Sequence, residues 1–309
     1  MGKKIKKAKA DNYKKVTDRI VAALEAGVAP WVKPWDASLG QPRNGHSGHI
    51  YQGINAMLAY CSPFADPRFF TFNQVKNYGE SHVRKGEKGT PIIFWKIKKK
   101  EEEDKSGNKV ERDIPILLTF TVFNYEQVEW DAEKAPKVIE VQEIDPVAAY
   151  TDAAALVERA KADIHYGGGT ACYIPSMDRI NMPVSGAFDT VEDYWSTMLH
   201  ELAHWTKGEG RCVRDMKKRF KDDPYAAEEL VAEMASAFLC ENLGIGGKLQ
   251  HPEYIGHWIK ALKDDKYALF TAARLAKQAS EFLLKVEATA DAEAESTTDE
   301  LATVNAQAA

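Results

Sequence analysis

The stretch His200-Glu201-Leu-Ala-His204 restricts what this chain can become more than any other. In a helix, positions four apart stack on one face, so both imidazoles can address a single metal ion. Glu201 then stands beside that ion, where it can take a proton from an activated water. The flanking residues call for such a helix. Asp189 and Glu192 have capping-box spacing, which starts a helix near Thr190. Val191, Tyr194, Trp195, Met198, Leu199 and Leu202 recur at three and four and form one apolar stripe. Thr197, His200, Glu201 and His204 fall largely off that stripe, and Gly208 and Gly210 supply stops. A helix with ordinary core histidines would explain one of these imidazoles, hardly both with a glutamate between them.

Two imidazoles hold an ion weakly, so a third ligand is needed. The metzincin extension would require Gly at 207 and His at 210; Lys207 and Gly210 exclude it. Downstream, Asp223-Pro224 followed by good helix formers and Gly244 reads as a second helix, with Leu230, Met234 and Phe238 on a buried edge. Glu229 and Glu233 are four apart and share a face. The His₂Glu arrangement takes its third ligand from such a helix, with a second carboxylate one turn on that orients a histidine. Glu229 is therefore expected as the ligand and Glu233 as the orienting carboxylate. The exchanged roles, or Glu228 as ligand, remain open. The expected ion is zinc, with another divalent metal such as manganese as the alternative.

At 309 residues, 44% hydrophobic and 28% charged, the chain can bury a sizeable core. No apolar run is long enough to span a bilayer, and the Lys-rich start lacks the hydrophobic region of a secretory signal. Cys61, Cys172, Cys212 and Cys240 are scattered without a CxxC pair, which reads as reduced thiols in a cytoplasmic protein. The net charge of −5 conceals an asymmetry: residues 1–140 hold 24 Lys and Arg against 18 Asp and Glu, leaving +6 there and −11 in the remainder. The expected organisation is a front domain over 1–130, a linker over 131–146, a back domain over 147–286 and a disordered acidic tail over 287–309.

In the front part, Lys3 to Lys9 lead into a helix with Val16, Ile20 and Leu24 as core. Phe69 to Phe72 precede another helix. Thr90–Ile97 and Ile114–Asn124 read as paired strands around a charged loop, Lys98 to Arg112. Aromatic residues interleaved with Lys and Arg suit single-stranded nucleic acid, because bases stack on rings while cations follow the phosphates. The competing reading is that Trp31, Trp35, Phe70, Phe72 and Trp95 are core. Further on, Ala171–Ile174 and Arg179–Met182 read as two strands ahead of the site helix, of the kind that pairs with an extended peptide. Residues 255–284 read as terminal packing helices. Tyr173, Tyr225, His251, Tyr254 and His257 carry donors suited to an oxyanion, and nothing in the sequence selects among them.

An ordered series of motifs runs through the chain: Trp31-x-Lys-Pro-Trp35, Tyr51-x-Gly-Ile-Asn55, Thr71-Phe-Asn-Gln74, Val83-Arg-Lys-Gly-Glu-Lys88, Val122-Phe-Asn-Tyr-Glu-Gln127, Tyr173 to Pro183, His200 to Thr206 and Glu228 to Glu233. In these the chain resembles the ArdC-type plasmid antirestriction proteins, whose N-terminal module also occurs in certain plasmid primases. The resemblance covers roughly residues 11–285. It implies α+β folds for both parts: a front domain that binds single-stranded DNA and a zincin-like metalloprotease domain behind it. It also implies a plasmid-borne bacterial protein that protects incoming DNA from host restriction during conjugation. The DNA-contacting residues expected on this reading are Trp31, Lys33, Trp35, Arg43, Tyr51, Asn55, Arg84, Lys85 and Lys88.

Two classes of function stay open. One is a metallopeptidase brought by DNA to an unidentified protein substrate, for instance host restriction machinery. The other is a non-catalytic DNA-protecting protein whose metal is structural. Glu201 favours the first, since a structural site needs no general base. A metal-dependent nuclease is weaker, because His₂Glu is not the carboxylate-rich two-metal set.

Overall fold

The computed structural model describes residues 11–31, 40–103, 109–137, 146–218, 220, 223–246 and 252–284. The basic leader Lys3–Lys9, Lys33, Trp35, His251, much of the expected linker and the acidic tail lie outside the described residues.

Helix α1 (Asn12–Glu25) starts where the Asp11 carboxylate accepts from the Lys14 amide at 3.2 Å. Its face of Val16, Ile20 and Leu24 is buried. After β1 (Arg43–Asn44), α2 (Ile54–Tyr60) and β2 (Arg68–Thr71) comes α3 (Phe72–Lys76), opened by a capping box between Thr71 and Gln74. Strands β3 (His82–Val83), β4 (Thr90–Glu103), β5 (Lys109–Asn124) and β6 (Val128–Glu129) complete this half. The main sheet has the order β1-β2-β5-β4, and β3 pairs with β6. Both strands of the expected pair run further than their apolar stretches, through the charged segment as far as Glu103↔Lys109. A two-stranded ribbon with both faces in water needs no apolar alternation, and cross-strand charge pairs such as Lys99–Glu111 at 3.1 Å support it.

In the second half, α4 (Pro146–Ala160) leads to β7 (Asp163–Tyr166), β8 (Cys172–Ile174) and β9 (Arg179–Met182), which form a small sheet in the order β7-β9-β8. The β8–β9 hairpin matches the sequence reading. Its turn puts Asp178 at φ 48°, and the Tyr173 hydroxyl donates to that residue's carboxylate at 2.9 Å. Strand β7 gave no such signal, because only Ile164 of its four residues is even half-buried.

Four helices follow: α5 (Val191–Trp205), α6 (Pro224–Leu243), α7 (Pro252–Asp264) and α8 (Ala268–Leu284). Helix α5 begins where expected, but its cap is Thr190, whose hydroxyl accepts from the Asp193 amide at 3.1 Å, and not Asp189. Thr and Asp side chains can both cap a helix start, so spacing alone could not choose between neighbours. Helix α6 is capped by Asp223 and ends at Gly244 in the left-handed region, φ 70°. It is buried on every side, not along one edge: Ala226, Ala227, Ala232 and Ala235 let its neighbours approach closely.

One apolar cluster joins Val16, Ile20 and Leu24 of α1, Met57 and Leu58 of α2, Ile93 of β4 and Leu117 of β5 to α6, α7 and α8. Trp31 sits in it, 5.6 Å from Trp258 in an edge-on contact. A second cluster packs α4, β9 and the apolar stripe of α5 together. No helix among the described residues is long and apolar enough to cross a membrane.

Candidate metal centre

Met198, Leu199 and Leu202 are fully buried and pin α5 against the small sheet. The opposite face of α5 then looks at α6, and this brings His200 and His204 up to Glu229. The Nε2 atoms of the two histidines face each other at 3.1 Å. Each lies 3.4 Å from Oε2 of Glu229. All three residues are buried, and they are the one group of three among the described residues whose ligand atoms converge on a single point.

The triangle can be tested against a metal. Tetrahedral zinc with bonds of about 2.0–2.1 Å separates its ligands by about 3.3–3.4 Å. The observed edges match, and two imidazoles with one carboxylate are a donor set zinc accepts in catalytic sites. Burial and the neighbouring His204 hold His200 in its neutral form against the pull of Glu229. Burial works against ionisation of Glu229, yet hydrogen bonds from both histidines outweigh it and hold the carboxyl far below its ordinary range. An ionised carboxylate and a neutral imidazole are the forms that ligate, so Glu229 and His200 are ready for an ion while His204 must release a proton to bind it.

Glu228 has a different task from its neighbour. His204 Nδ1 donates to its Oε1 at 3.1 Å, which aims Nε2 inward. Arg214 holds the same carboxylate with two bonds, 2.8 Å from Nε and 2.6 Å from Nη2. It also donates to Thr206 Oγ1 at 2.8 Å and to the Ala203 carbonyl at 2.9 Å, tying the end of α5 to α6. Burial disfavours the charge on Glu228, but His204 and Arg214 override it and bring the carboxyl down to about 2. Burial likewise presses on protonated His204, and Glu228 and Glu229 raise its pKa to about 9. Glu233 is also buried, one turn after Glu229, and its charge acts on His200. The carboxylate on His204 is therefore Glu228, which spacing had weighed only as a ligand. Arg214 carried no sequence signal: it lies between helices in no motif, and only the fold shows it buried.

Glu201 follows His200 on α5 and is buried too. Of the oxyanion candidates, Tyr173 is engaged by Asp178, and His257 faces the Asp223 carboxylate at 2.6 Å. Tyr225 lies one turn before Glu229, its exposed hydroxyl 3.5 Å from that of Tyr254.

The residues expected to contact DNA divide sharply. Trp31 and Tyr51 are each 4% exposed: the structure places these rings in the core and not on the surface. Asn55 exchanges two hydrogen bonds with the main chain of Ile93, at 2.9 and 3.0 Å, and so is built into the sheet. Arg43 lies on β1, its Nε donating to the Gln41 carbonyl at 3.2 Å. Arg84, Lys85 and Lys88 are exposed together on the turn after β3, with Arg84 bonded to Glu87 at 2.9 Å.

Comparison with known proteins bears on both halves. Residues 10–123 match the family profile described as the N-terminal domain of anti-restriction factor ArdC, and residues 151–275 match that of a zincin-like metallopeptidase. The crystal structure of the antirestriction protein ArdC from plasmid R388, metal-free, is 33% identical with a TM-score of 0.70, covering 89% of this chain and 97% of that one. The Mn(II)-bound structure of that protein gives 34% identity and a TM-score of 0.68 over 91% and 100% of the two chains. A protein of Sinorhizobium fredii (strain NBRC 101917 / NGR234), y4eC, is 31% identical over 88% of this chain and 91% of its own length. Two DNA primases TraC of Escherichia coli are each 36% identical, over 89% and 88% of this chain; the chain spans only 27% and 20% of their length.

Proposed function

Because the chain belongs to the ArdC antirestriction family, with a zincin-like domain behind its N-terminal module, we propose that it is a DNA-bound zinc metallopeptidase acting inside bacteria. The front half binds single-stranded DNA, and the back half cleaves a protein encountered there, so that incoming plasmid DNA escapes host restriction. What carries this reading is the convergence of His200, His204 and Glu229 on one point, with Glu201 the next residue after His200 on the same helix.

His200, His204 and Glu229 would hold the ion, zinc in preference to manganese. When bound, such an ion lowers the pKa of a water and polarises a peptide carbonyl. Glu201 takes the proton released as the water oxygen bonds to the carbonyl carbon. It passes that proton to the departing nitrogen as the C–N bond breaks. Glu228, held by Arg214, accepts from His204 Nδ1 and so would leave Nε2 to the ion once the Nε2 proton is lost.

The burial of all four residues favours a second reading, in which the ion is structural and the protein only shields DNA. Glu201→Gln separates the two, since it preserves shape and removes the basic carboxylate. Wild type and variant are incubated with single-stranded DNA and candidate proteins, and fragments or self-cleavage are followed. The variant should bind metal and DNA as wild type does and cut nothing. If both are inert and both protect incoming DNA in cells, the peptidase reading fails.

A further inference from the structure

Several aromatic side chains of the front half are inside: Trp31, Tyr51, Tyr60, Phe69 and Phe70 are buried. Others, Phe123 among them, are half-buried, and the most open rings among that half's described residues are Phe72, 50% exposed, and Trp95, 45% exposed. Their surroundings differ. Trp95 belongs to a ring cluster with Tyr13 at 5.8 Å and Phe270 at 6.4 Å. The cations beside that cluster are engaged: Lys14 by Asp18 at 2.7 Å and Lys266 by Asp11.

Phe72 stands on firmer backbone and among free cations. It opens α3, and its peptide is held by the reciprocal Thr71–Gln74 cap, with Gln74 also accepting from Asn44 at 3.1 Å. A ring so anchored loses little freedom on binding, and leaving it half in water forgoes roughly 1 kcal/mol of burial. The half-buried Phe123 ring lies 6.5 Å away. Gly89 runs close to that ring: an added Cβ there would lie 3.1 Å from Phe123 and 2.3 Å from Thr121, so the position admits no side chain.

Lys76 places its ammonium 4.9 Å over Phe72. Lys85 and Lys88 project from the turn leading into Gly89. That turn is fixed to the sheet by Gln127, which accepts from the Arg84 amide at 3.0 Å and donates to the Lys88 carbonyl at 3.0 Å. Among the described residues, none of these three ammoniums is paired with a carboxylate, while Glu87 nearby is already engaged by Arg84 and Gln127.

We propose that Phe72 and Phe123, flanked by Lys76, Lys85 and Lys88, form the surface on which single-stranded DNA stacks its bases and lays its phosphates. This inference rests on the DNA-binding part of the proposed function and replaces Trp31 and Tyr51 with rings that a base can reach. Open rings beside unpaired cations select unpaired bases on a polyanion, since a duplex offers phosphates but no free base face. The lysines supply the salt-dependent part of the affinity and Phe72 the part that salt does not touch.

The test uses the full chain and a fluorescein-labelled oligo-dT, with a duplex hairpin for comparison. Phe72→Ala should weaken single-strand binding about 5- to 150-fold without altering its salt slope. Lys85→Ala with Lys88→Ala should flatten the slope of log K against log salt by about 0.7 for each lost phosphate contact. Phe72→Trp should keep the affinity and show tryptophan quenching as the oligonucleotide is added, which a merely structural role would not produce. Wild-type binding with all three variants indistinguishable from it, and no quenching, would overturn this surface and leave DNA binding to be sought around Trp95. Failure of wild type itself to bind at low salt would instead remove the DNA-binding reading on which the surface depends.

Discussion

The side chain of Arg214 is 1% exposed and donates four hydrogen bonds, two to Glu228 and two to the end of α5. Replacing it with Met would leave the Glu228 carboxylate buried with His204 and, 3.7 Å away, Lys207 as its remaining partners. The orientation of His204 would then loosen. Loss of such an outer partner typically costs about 10- to 100-fold in metal affinity. Metal titration of Arg214→Met should show that loss with the fold intact by circular dichroism, and Arg214→Lys should recover only part of it, because an ammonium cannot make the bidentate pair. Unchanged affinity in Arg214→Met would show that the arginine serves folding alone. The convergence of His200, His204 and Glu229 was legible because a helix converts spacing into direction, so periodicity could bring the three together. Arg214 was not, since nothing local ties residue 214 to residue 228. Trp31 and Tyr51 were misplaced for a related reason: an aromatic beside cations has the same local pattern whether it faces base or core.

Helices α2 and α6 are joined by a partly buried hydrogen bond, from the Tyr60 hydroxyl to Glu241 at 2.7 Å. Burial raises the Glu241 pKa to about 7, against the pull of the Tyr60 bond, and burial also pushes the Tyr60 hydroxyl up. The sign follows from linkage. Between the ordinary value of 4.5 and about 7 the folded chain keeps a proton that the unfolded chain releases. Stability from this group is therefore highest below pH 4.5, falls as pH rises and levels off above 7. At about 1.4 kcal/mol per unit the loss is at most about 3 kcal/mol. Urea unfolding across this range should show Glu241→Gln lacking that part of the pH dependence; parallel curves for variant and wild type would contradict it. The elements themselves were read with uneven success. Asp223, Pro224 and Gly244 bounded α6 correctly because caps and stops are local chemistry. The full length of β4 and β5 and the existence of β7 escaped, since a solvated ribbon and a strand with one half-buried residue leave no apolar alternation to count.

Across the molecule, α1, Trp31, α2 and the β4–β5 pair close over α6, α7 and α8 in one apolar cluster, so the half expected to hold DNA packs directly on the helix that supplies Glu229. Formal charge is +6 over residues 1–140 and −11 over the rest, and most of that contrast comes from Lys3–Lys9 and from the acidic residues after 286, outside the described residues. That contact between halves was invisible in a sequence whose composition changes near residue 140, because a shared core depends on surfaces far apart in the chain. Everything proposed for the back half depends on whether the triangle of His200, His204 and Glu229 holds an ion. Native mass spectrometry and zinc titration of the intact chain test this directly. Wild type and Glu201→Gln should each hold one zinc per chain, with binding weakened by orders of magnitude in His200→Ala and Glu229→Ala. Equal stoichiometry and affinity in all four proteins would contradict that assignment.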